Sequence, residues 1–169
     1  MFSKKVEDAL NKQIVIESES SQFYLAMASW AETKGLNGTA QFLYRHSDEE
    51  RIHMLKLIKF VNERGGHAII PPISEPPKEF DSIQTVFQNL LDHEISVTQS
   101  INDVVDICLQ EKDYTTHNFM QWYVSEQIEE EGLARTIMDK ITMIGSDKGG
   151  LYLFDRDLEN METADGGVA

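Results

Sequence analysis

The sequence has a single cysteine, Cys108, and no apolar stretch that approaches the about 20 residues needed to span a membrane. A lone thiol can form neither an internal disulfide nor a multi-cysteine metal site, which favours a reducing compartment. The segment from Met1 to Lys5 lacks the apolar core of a secretory signal. These absences predict a cytoplasmic protein that is not inserted in a membrane, with Cys108 in its core.

Basic residues are also scarce in this chain. Its 15 lysines and arginines stand against 29 acidic residues, which gives a formal net charge of −14 and a pI near 4.6. A chain with this charge is poorly suited to binding nucleic acid and better suited to binding cations. The predicted partners are therefore cations, and no nucleic acid is expected.

Proline is confined to one stretch, and glycine marks the remaining breaks. All four prolines fall within residues 71–77, inside a segment from Gly65 to Phe80 that has no helical periodicity. Shorter breaks lie at residues 35–38, 113–114 and 145–150. Four segments of about 25–30 residues with helical apolar spacing lie between these breaks.

The lengths of these breaks predict the topology. A helix from Asn37 to Arg64 would be about 42 Å long, and a 16-residue extended segment reaches about 50 Å. The long break can therefore cross the whole bundle and make the second and third helices parallel, while short breaks produce antiparallel pairs. A short fifth helix is expected at about residues 149–160, followed by a loose tail over 163–169. The prediction is one all-α domain over residues 1–169.

Each predicted helix carries a polar residue at the middle of an otherwise apolar seam. Seam positions three and four residues apart should face the core of a bundle and be apolar. Every seam instead reaches a carboxylate at one level, where no lysine or arginine is found. The inward polar side chains are Glu17, Glu50, His53, Glu94 and Glu130. The fourth seam is predicted to run through Phe119, Tyr123, Glu126, Glu130, Leu133 and Ile137.

These inward carboxylates require compensating charge. An unpaired buried ion costs several kcal/mol, whereas a whole domain is stable by only about 5–15 kcal/mol. Four or five such groups would rival the stability of the fold unless a bound metal ion or shared protons offset them. Oxygen ligands with one imidazole favour iron or manganese over metals that prefer thiolates.

The spacing within the second helix supports a metal site. Glu50 and His53 lie three residues apart on one helix face, where both can hold the same ion. Two ions can share Glu50, with Glu17 and His53 completing one site and Glu94 and Glu130 the other. Paired metals of this kind bind and activate oxygen species. The remaining histidines have no comparable partner and are predicted to be surface or packing residues: His46, His67, His93 and His117.

Two segments closely resemble the bacterial non-haem ferritins, which belong to the ferritin-like di-iron carboxylate family. These are residues 46–54, HSDEERIHM, and residues 121–131, QWYVSEQIEEE, and the order of motifs matches from Glu17 to Leu158. The resemblance implies a ferritin-like four-helix bundle with a long crossover and a hollow shell of 24 identical subunits. It further implies a ferroxidase centre that oxidises iron(II) with oxygen or hydrogen peroxide, with ferric mineral stored inside the shell.

The resemblance also assigns individual residues. It implies that Gln127 lies close to the second iron and that Tyr24 and Trp122 flank the centre, with Tyr24 counted among the catalytic residues. A third iron site would use four carboxylates, those of Glu49, Glu126, Glu129 and Glu130.

Related proteins offer alternatives to this interpretation. Bacterioferritins bind haem through a methionine directly after the bridging glutamate, where this chain has Arg51, so no haem is expected. Rubrerythrins need two cysteine pairs, and the small DNA-protecting relatives usually have a helix in the crossover, which the prolines disfavour. The alternatives that stay open are a storage shell without its own oxidase centre and a haem-binding protein like the bacterioferritins.

Overall fold

The computed structural model describes residues 2–161, which form five α-helices and, within that range, no strand. The helices are α1 (Lys4–Thr33), α2 (Asn37–Glu63), α3 (Ile83–Gln110), α4 (Tyr114–Ile144) and α5 (Lys148–Glu159). The long helices pack mainly in the pairs α1 with α2 and α3 with α4, and α5 lies against α2 and α4. The predicted all-α bundle with a short fifth helix is confirmed. The predicted tail over residues 163–169 lies outside the described residues, and a single domain over 1–169 stays a prediction.

Residues 64–82 form the predicted long crossover, and three contacts show its path along α1. The amide of His67 donates to the Glu7 carboxylate at 2.8 Å, near the start of α1, and the Ser74 hydroxyl donates to Glu19 at 2.7 Å. Further on, the Phe80 ring meets Trp30 edge-on near the end of α1. The crossover therefore spans almost the full length of the bundle, as the proline-rich break predicted.

The helix ends explain where the breaks fall. Asp113, predicted as a break residue, caps α4 by accepting from the Thr116 amide, and Arg64 lies 3.2 Å from its carboxylate. Gly149 and Gly150 lie where the predicted break meets the predicted fifth helix, and their amides donate to the Asp147 cap in the first turn of α5. The Asp147 side chain thus stabilises a first helical turn that contains two glycines.

Gly38 also lies inside a helix, because α5 crosses the start of α2 at this point. A β-carbon at Gly38 would lie 1.7 Å from the Asp155 carbonyl oxygen, so only glycine allows this approach. The Asp155 carboxylate accepts from the Gly38 amide at 3.1 Å and the Thr39 amide at 2.8 Å. A carboxylate from α5 therefore caps α2, whose own N-cap residue, Leu36, makes no side-chain cap.

The apolar core is divided into two clusters by a buried polar level. One cluster, around Leu10 and Leu57, fills the end of the bundle near the α3–α4 connection; the other, around Phe42 and Phe87, also includes Phe154 of α5. No helix within residues 2–161 has the length and apolarity to cross a bilayer.

Along α4 the predicted seam was wrong at alternate positions. The buried residues are Thr116, Met120, Tyr123, Gln127, Glu130, Ala134, Ile137 and Ile141. Phe119, Glu126 and Leu133 are only half-buried. The predicted and observed series share Tyr123, Glu130 and Ile137 and differ at the positions between them, because a helical stripe allows a step of three or four residues. Here α4 turns Gln127, and not Glu126, fully inward.

Candidate metal centre

The five side chains predicted to face inward are all buried at the polar level of the bundle. Their exposed fractions are between 1% and 3%. Each long helix contributes at least one of them, so residues far apart in the sequence meet at mid-length. Within residues 2–161, two groups of three residues bring potential ligand atoms within 4.8 Å of one another, and both include Glu50.

The first group consists of Glu17, Glu50 and His53. His53 Nδ1 lies 3.6 Å from Glu50 Oε2 and 3.9 Å from Glu17 Oε2. The three ligand atoms lie within 4.8 Å of one another, so one cation between them would contact all three. This is the set that the sequence predicted for the first ion.

The backbone that carries His53 is held by α4. The Tyr123 hydroxyl donates to the His53 carbonyl oxygen at 2.8 Å, and the Trp122 ring stands nearly perpendicular to the imidazole, with centroids 5.2 Å apart. The Lys56 ammonium lies 3.1 Å from the centroid of the Trp122 ring. Trp122 therefore packs directly against a candidate ligand, which agrees with the flanking position that the resemblance implied.

The second group consists of His46, Glu50 and Glu130. His46 Nε2 lies 3.0 Å from Glu130 Oε2, and Nδ1 lies 3.6 Å from Glu49 Oε2. Phe42 stacks on the imidazole at a centroid distance of 5.3 Å. His46 is thus held between two carboxylates by an aromatic neighbour.

The contact of His46 with carboxylates was not predicted from the sequence. His46 was predicted to be a surface or packing residue, but it is 1% exposed and lies among the carboxylates. A signal was present, because His46 precedes Glu50 by four residues and His53 by seven, and so shares their helix face.

Glu94 is close to the second group but already has two donors. The Tyr24 hydroxyl donates to Oε1, and Gln127 Nε2 donates to Oε2 at 3.0 Å. Glu94 therefore belongs to neither three-residue group in this conformation. The predicted proximity of Tyr24 and Gln127 to the centre is seen here as contact with Glu94, while ligation by Glu94 stays a prediction.

Burial and mutual repulsion shift the acid–base equilibria of these groups. Burial raises the pKa of Glu94, and the charge of Glu130 adds to this effect, so that the pKa is about 7. The pKa of Glu50 is also raised well above its usual value by burial and by Glu94 and Glu17, although His53 opposes the shift. Burial alone would lower the pKa of His46, but Glu130 and its neighbours raise it to about 10. Without a metal, protons on these groups therefore carry part of the compensation that the sequence required.

Apart from Glu130, the residues predicted for a third site are less buried and do not converge as those of the first two groups do. Glu49 is 9% exposed and faces His46, Glu126 is half-buried, and Glu129 is exposed. In the described part of the chain, neither group of converging ligand atoms includes Glu49, Glu126 or Glu129. A third iron site at these carboxylates stays a prediction.

The donor set suits a hard, oxygen-seeking cation. It combines several carboxylate oxygens with imidazole nitrogen and no thiolate, since Cys108 is buried among apolar residues of the cluster around Leu10. Among the residues described, Glu50 Oε2 is buried and accepts no hydrogen bond. A buried acceptor of this kind is stabilised by a cation.

A four-helix bundle with a long crossover, carboxylates from every long helix and a Glu-x-x-His pair defines the class of ferritin-like carboxylate proteins. A family model described as a ferritin-like domain matches residues 7–144. The chain belongs to the ferritin family, and this membership supports a role in iron storage.

Relatives align over nearly the whole chain. A probable bacterial non-heme ferritin-like protein from Haemophilus influenzae is 44% identical over 163 residues, covering 96% of this chain and 99% of the relative. A bacterial non-heme ferritin from Campylobacter jejuni is also 44% identical, over 95% of this chain and 96% of the relative. An open pore ferritin from the archaeon Archaeoglobus fulgidus superposes with a TM-score of 0.94 at 41% identity, over 96% of this chain and all of that one. The fold predicted from the resemblance is therefore confirmed.

Proposed function

We propose that this protein is a cytoplasmic ferroxidase that stores iron, with a di-iron centre inside each subunit and a shell of 24 identical chains. Two iron(II) ions bind at the buried polar level and are oxidised to iron(III), with oxygen or hydrogen peroxide as the electron acceptor. The ferric product is then stored as mineral inside the shell. The relatives named as non-heme ferritins support a protein that uses iron without haem.

One observation supports this proposal most strongly. Carboxylates from all four long helices and the imidazole of His53 meet in a buried layer that divides the apolar core. A shell that only nucleated mineral would need acidic residues on its inner surface and would not need charged groups inside each bundle. Since buried carboxylates destabilise a fold, their presence favours a binding role.

The residues have separate tasks in this proposal. Glu17, Glu50 and His53 hold one ion, and Glu50 and Glu130 hold the other, with Glu94 released from Tyr24 or Gln127 to join it. Each iron(II) gives up one electron. Two electrons and two protons reduce oxygen to hydrogen peroxide, or reduce hydrogen peroxide to two water molecules. Carboxylates with raised pKa values can hold and release these protons near neutral pH.

The test is to mix the apo-protein with iron(II) in air and follow formation of iron(III) by absorbance. Oxidation should be fast for the first two equivalents per chain and slower afterwards. The Glu50→Ala variant should lose the fast phase, since Glu50 belongs to both groups, whereas Glu63→Ala, on an exposed turn of the same helix, should keep it. Equal rates for Glu50→Ala and the parent would contradict an oxidase centre here and favour a storage shell without one.

Assembly and haem content are tested independently. Light scattering should report a particle of 24 copies of the 19.3-kDa chain. The purified protein should lack the Soret absorbance band of haem, and a stoichiometric Soret band would support the bacterioferritin-like alternative.

A further inference from the structure

A buried amide side chain lies beside the metal centre without belonging to it. Gln13 precedes Glu17 by one helical turn on α1 and is only 1% exposed. Its Nε2 donates to Glu17 Oε1 at 2.8 Å. Burying an amide is unfavourable unless its polar atoms are hydrogen-bonded.

The other end of the amide is held by a different helix. The Ser100 hydroxyl of α3 lies 2.6 Å from Gln13 Oε1, and its alternative acceptor, the Val97 carbonyl oxygen, is farther away at 3.0 Å. The amide NH₂ thus faces the Glu17 carboxylate, and the amide carbonyl oxygen faces the Ser100 hydroxyl, which can donate to it. Glu17 and Ser100 therefore hold the two ends of the Gln13 amide.

The hydrogen bond from Gln13 distinguishes the two carboxylate oxygens of Glu17. Its Oε1 is occupied by Gln13, whereas Oε2 faces His53 Nδ1 at 3.9 Å, within the first group. We propose that Gln13, held by Ser100, is a positioning residue that makes Glu17 present one oxygen, Oε2, to an ion bound with Glu50 and His53. The inference rests on the proposed metal centre and adds a residue outside its ligand set.

The positioning effect is confined to one of the two ions. Glu17 belongs to the first group only, and the second group is formed by residues on α2 and α4. Gln13 and Ser100 also line a groove of about 470 Å³ between α1 and α3. Because Ser100 is half-buried beside this groove, a change of its side chain can be accommodated without repacking the core.

The first test replaces Gln13 by methionine, which keeps the length and the unbranched shape of the side chain but removes the amide. Zinc(II), which is not oxidised, serves as the probe: crystals of the apo-protein are soaked at graded zinc concentrations, and anomalous peaks report each group separately. Loss of outer hydrogen bonds to metal ligands typically costs 10–100-fold in affinity. Gln13→Met should therefore weaken zinc binding at the Glu17 group by about tenfold or more and leave the Glu130 group within about twofold.

Gln110 provides a matched control on the same groove. Its Nε2 donates to Asp106, four residues earlier, at 2.6 Å, but the pair is exposed and remote from the centre. Gln110→Met should leave both zinc sites unchanged. Unaltered zinc binding in Gln13→Met as well would overturn the inference.

Ser100 gives a second test if Gln13→Met does not fold or weakens both groups equally. Ser100→Ala removes the hydroxyl that orients the amide, whereas Ser100→Thr keeps it. Zinc binding at the Glu17 group should be several-fold weaker in the alanine variant and close to the parent value in the threonine variant. Equal zinc binding by the two variants would show that Gln13 is merely structural.

The failure of this inference can be told apart from failure of the proposed function. If the parent protein binds no zinc at either group, the proposed metal centre is wrong and the positioning role falls with it. If the parent binds zinc at both groups and the Gln13 and Ser100 variants do the same, the centre stands and only the positioning role is lost.

Discussion

His46 and His53 lie on the same face of α2, seven residues apart, and each belongs to a group that contains Glu50. Their surroundings differ. His53 keeps more than 3.5 Å from its two carboxylates, and its backbone is held by Tyr123. His46 instead places Nε2 at 3.0 Å from Glu130.

The same residue type can therefore have two different roles within one cluster of carboxylates. The imidazole of His53 lies with Glu17 and Glu50 in one group of converging ligand atoms, where a ring nitrogen can bind a metal ion. A protonated imidazole against a carboxylate is itself the cation, and the raised pKa of His46, about 10, agrees with this second role. We therefore expect His53 to affect metal binding and His46 to affect the stability of the metal-free protein.

Replacing His46 by glutamine should have the largest effect on the apo-protein. It leaves Glu130 buried without its cation, and breaking a buried ion pair costs about 3–5 kcal/mol of unfolding free energy. The stability of apo-protein in denaturant, followed by circular dichroism, should fall accordingly and recover in part when zinc(II) is added. His67→Gln, at an exposed position, is the control. An apo His46→Gln variant as stable as the parent would remove the distinction between the two histidines.

Replacing His53 by glutamine should act mainly on the metal. Loss of one of three ligands should weaken zinc binding at the Glu17 group by about 100-fold, roughly 2.7 kcal/mol, as measured by calorimetric titration. The apo-protein should lose less stability than with His46→Gln, because the contacts of His53 with the carboxylates are longer. A greater loss of apo stability in His53→Gln than in His46→Gln would reverse the comparison.

The Glu94→Gln variant tests whether a proton on Glu94 stabilises the metal-free protein. The folded pKa of Glu94 is about 7, above its ordinary value of 4.5, so its stabilising contribution is fully present below pH 4.5 and lost as pH rises through 7. Relative to the parent, apo Glu94→Gln should gain about 1–3 kcal/mol of unfolding free energy above pH 7, since a buried charge is removed. Denaturation in chelator from pH 5 to 8 measures this gain, which should shrink as the pH falls. A gain independent of pH would show that Glu94 does not titrate in this range.

Tyr24→Phe should have the smallest effect. It removes the hydroxyl that donates to Glu94, a loss of about 1 kcal/mol for a typical hydrogen bond. Because this bond lowers the pKa of Glu94, its removal should move the pH-dependent loss of apo stability to higher pH. The same denaturation series in chelator gives the measurement. An unchanged pH midpoint in Tyr24→Phe would mean that the bond does not influence the ionisation of Glu94.

Several features of the fold could be predicted because they depend on local chain chemistry. The proline-rich segment disfavoured a helix between Gly65 and Phe80, and its reach allowed a crossover that makes the second and third helices parallel. The seams of α1, α2 and α3 were predicted because helical periodicity determines which residues share a face. The level of Glu17, Glu50 and Glu94 followed from the same periodicity.

Other features could not be predicted from periodicity. Gln127 is buried in place of Glu126 because of the rotation of α4 about its own axis relative to its neighbours. Gln13 was overlooked because it lies beside the seam of α1, and only the proximity of Ser100 on α3 reveals its role. The carboxylates predicted for a third site were chosen by resemblance alone, and Glu129 is exposed in this structure.

The four long helices with carboxylates at one level follow from the amino-acid sequence, because the rise and twist of a helix are the same wherever it occurs. The packing of the helices establishes which oxygen of Glu17 faces His53, that Tyr24 and Gln127 hold Glu94, and that His46 pairs with Glu130. Such choices depend on differences of about one ångström between helices joined only through packing, and no spacing along one chain encodes them.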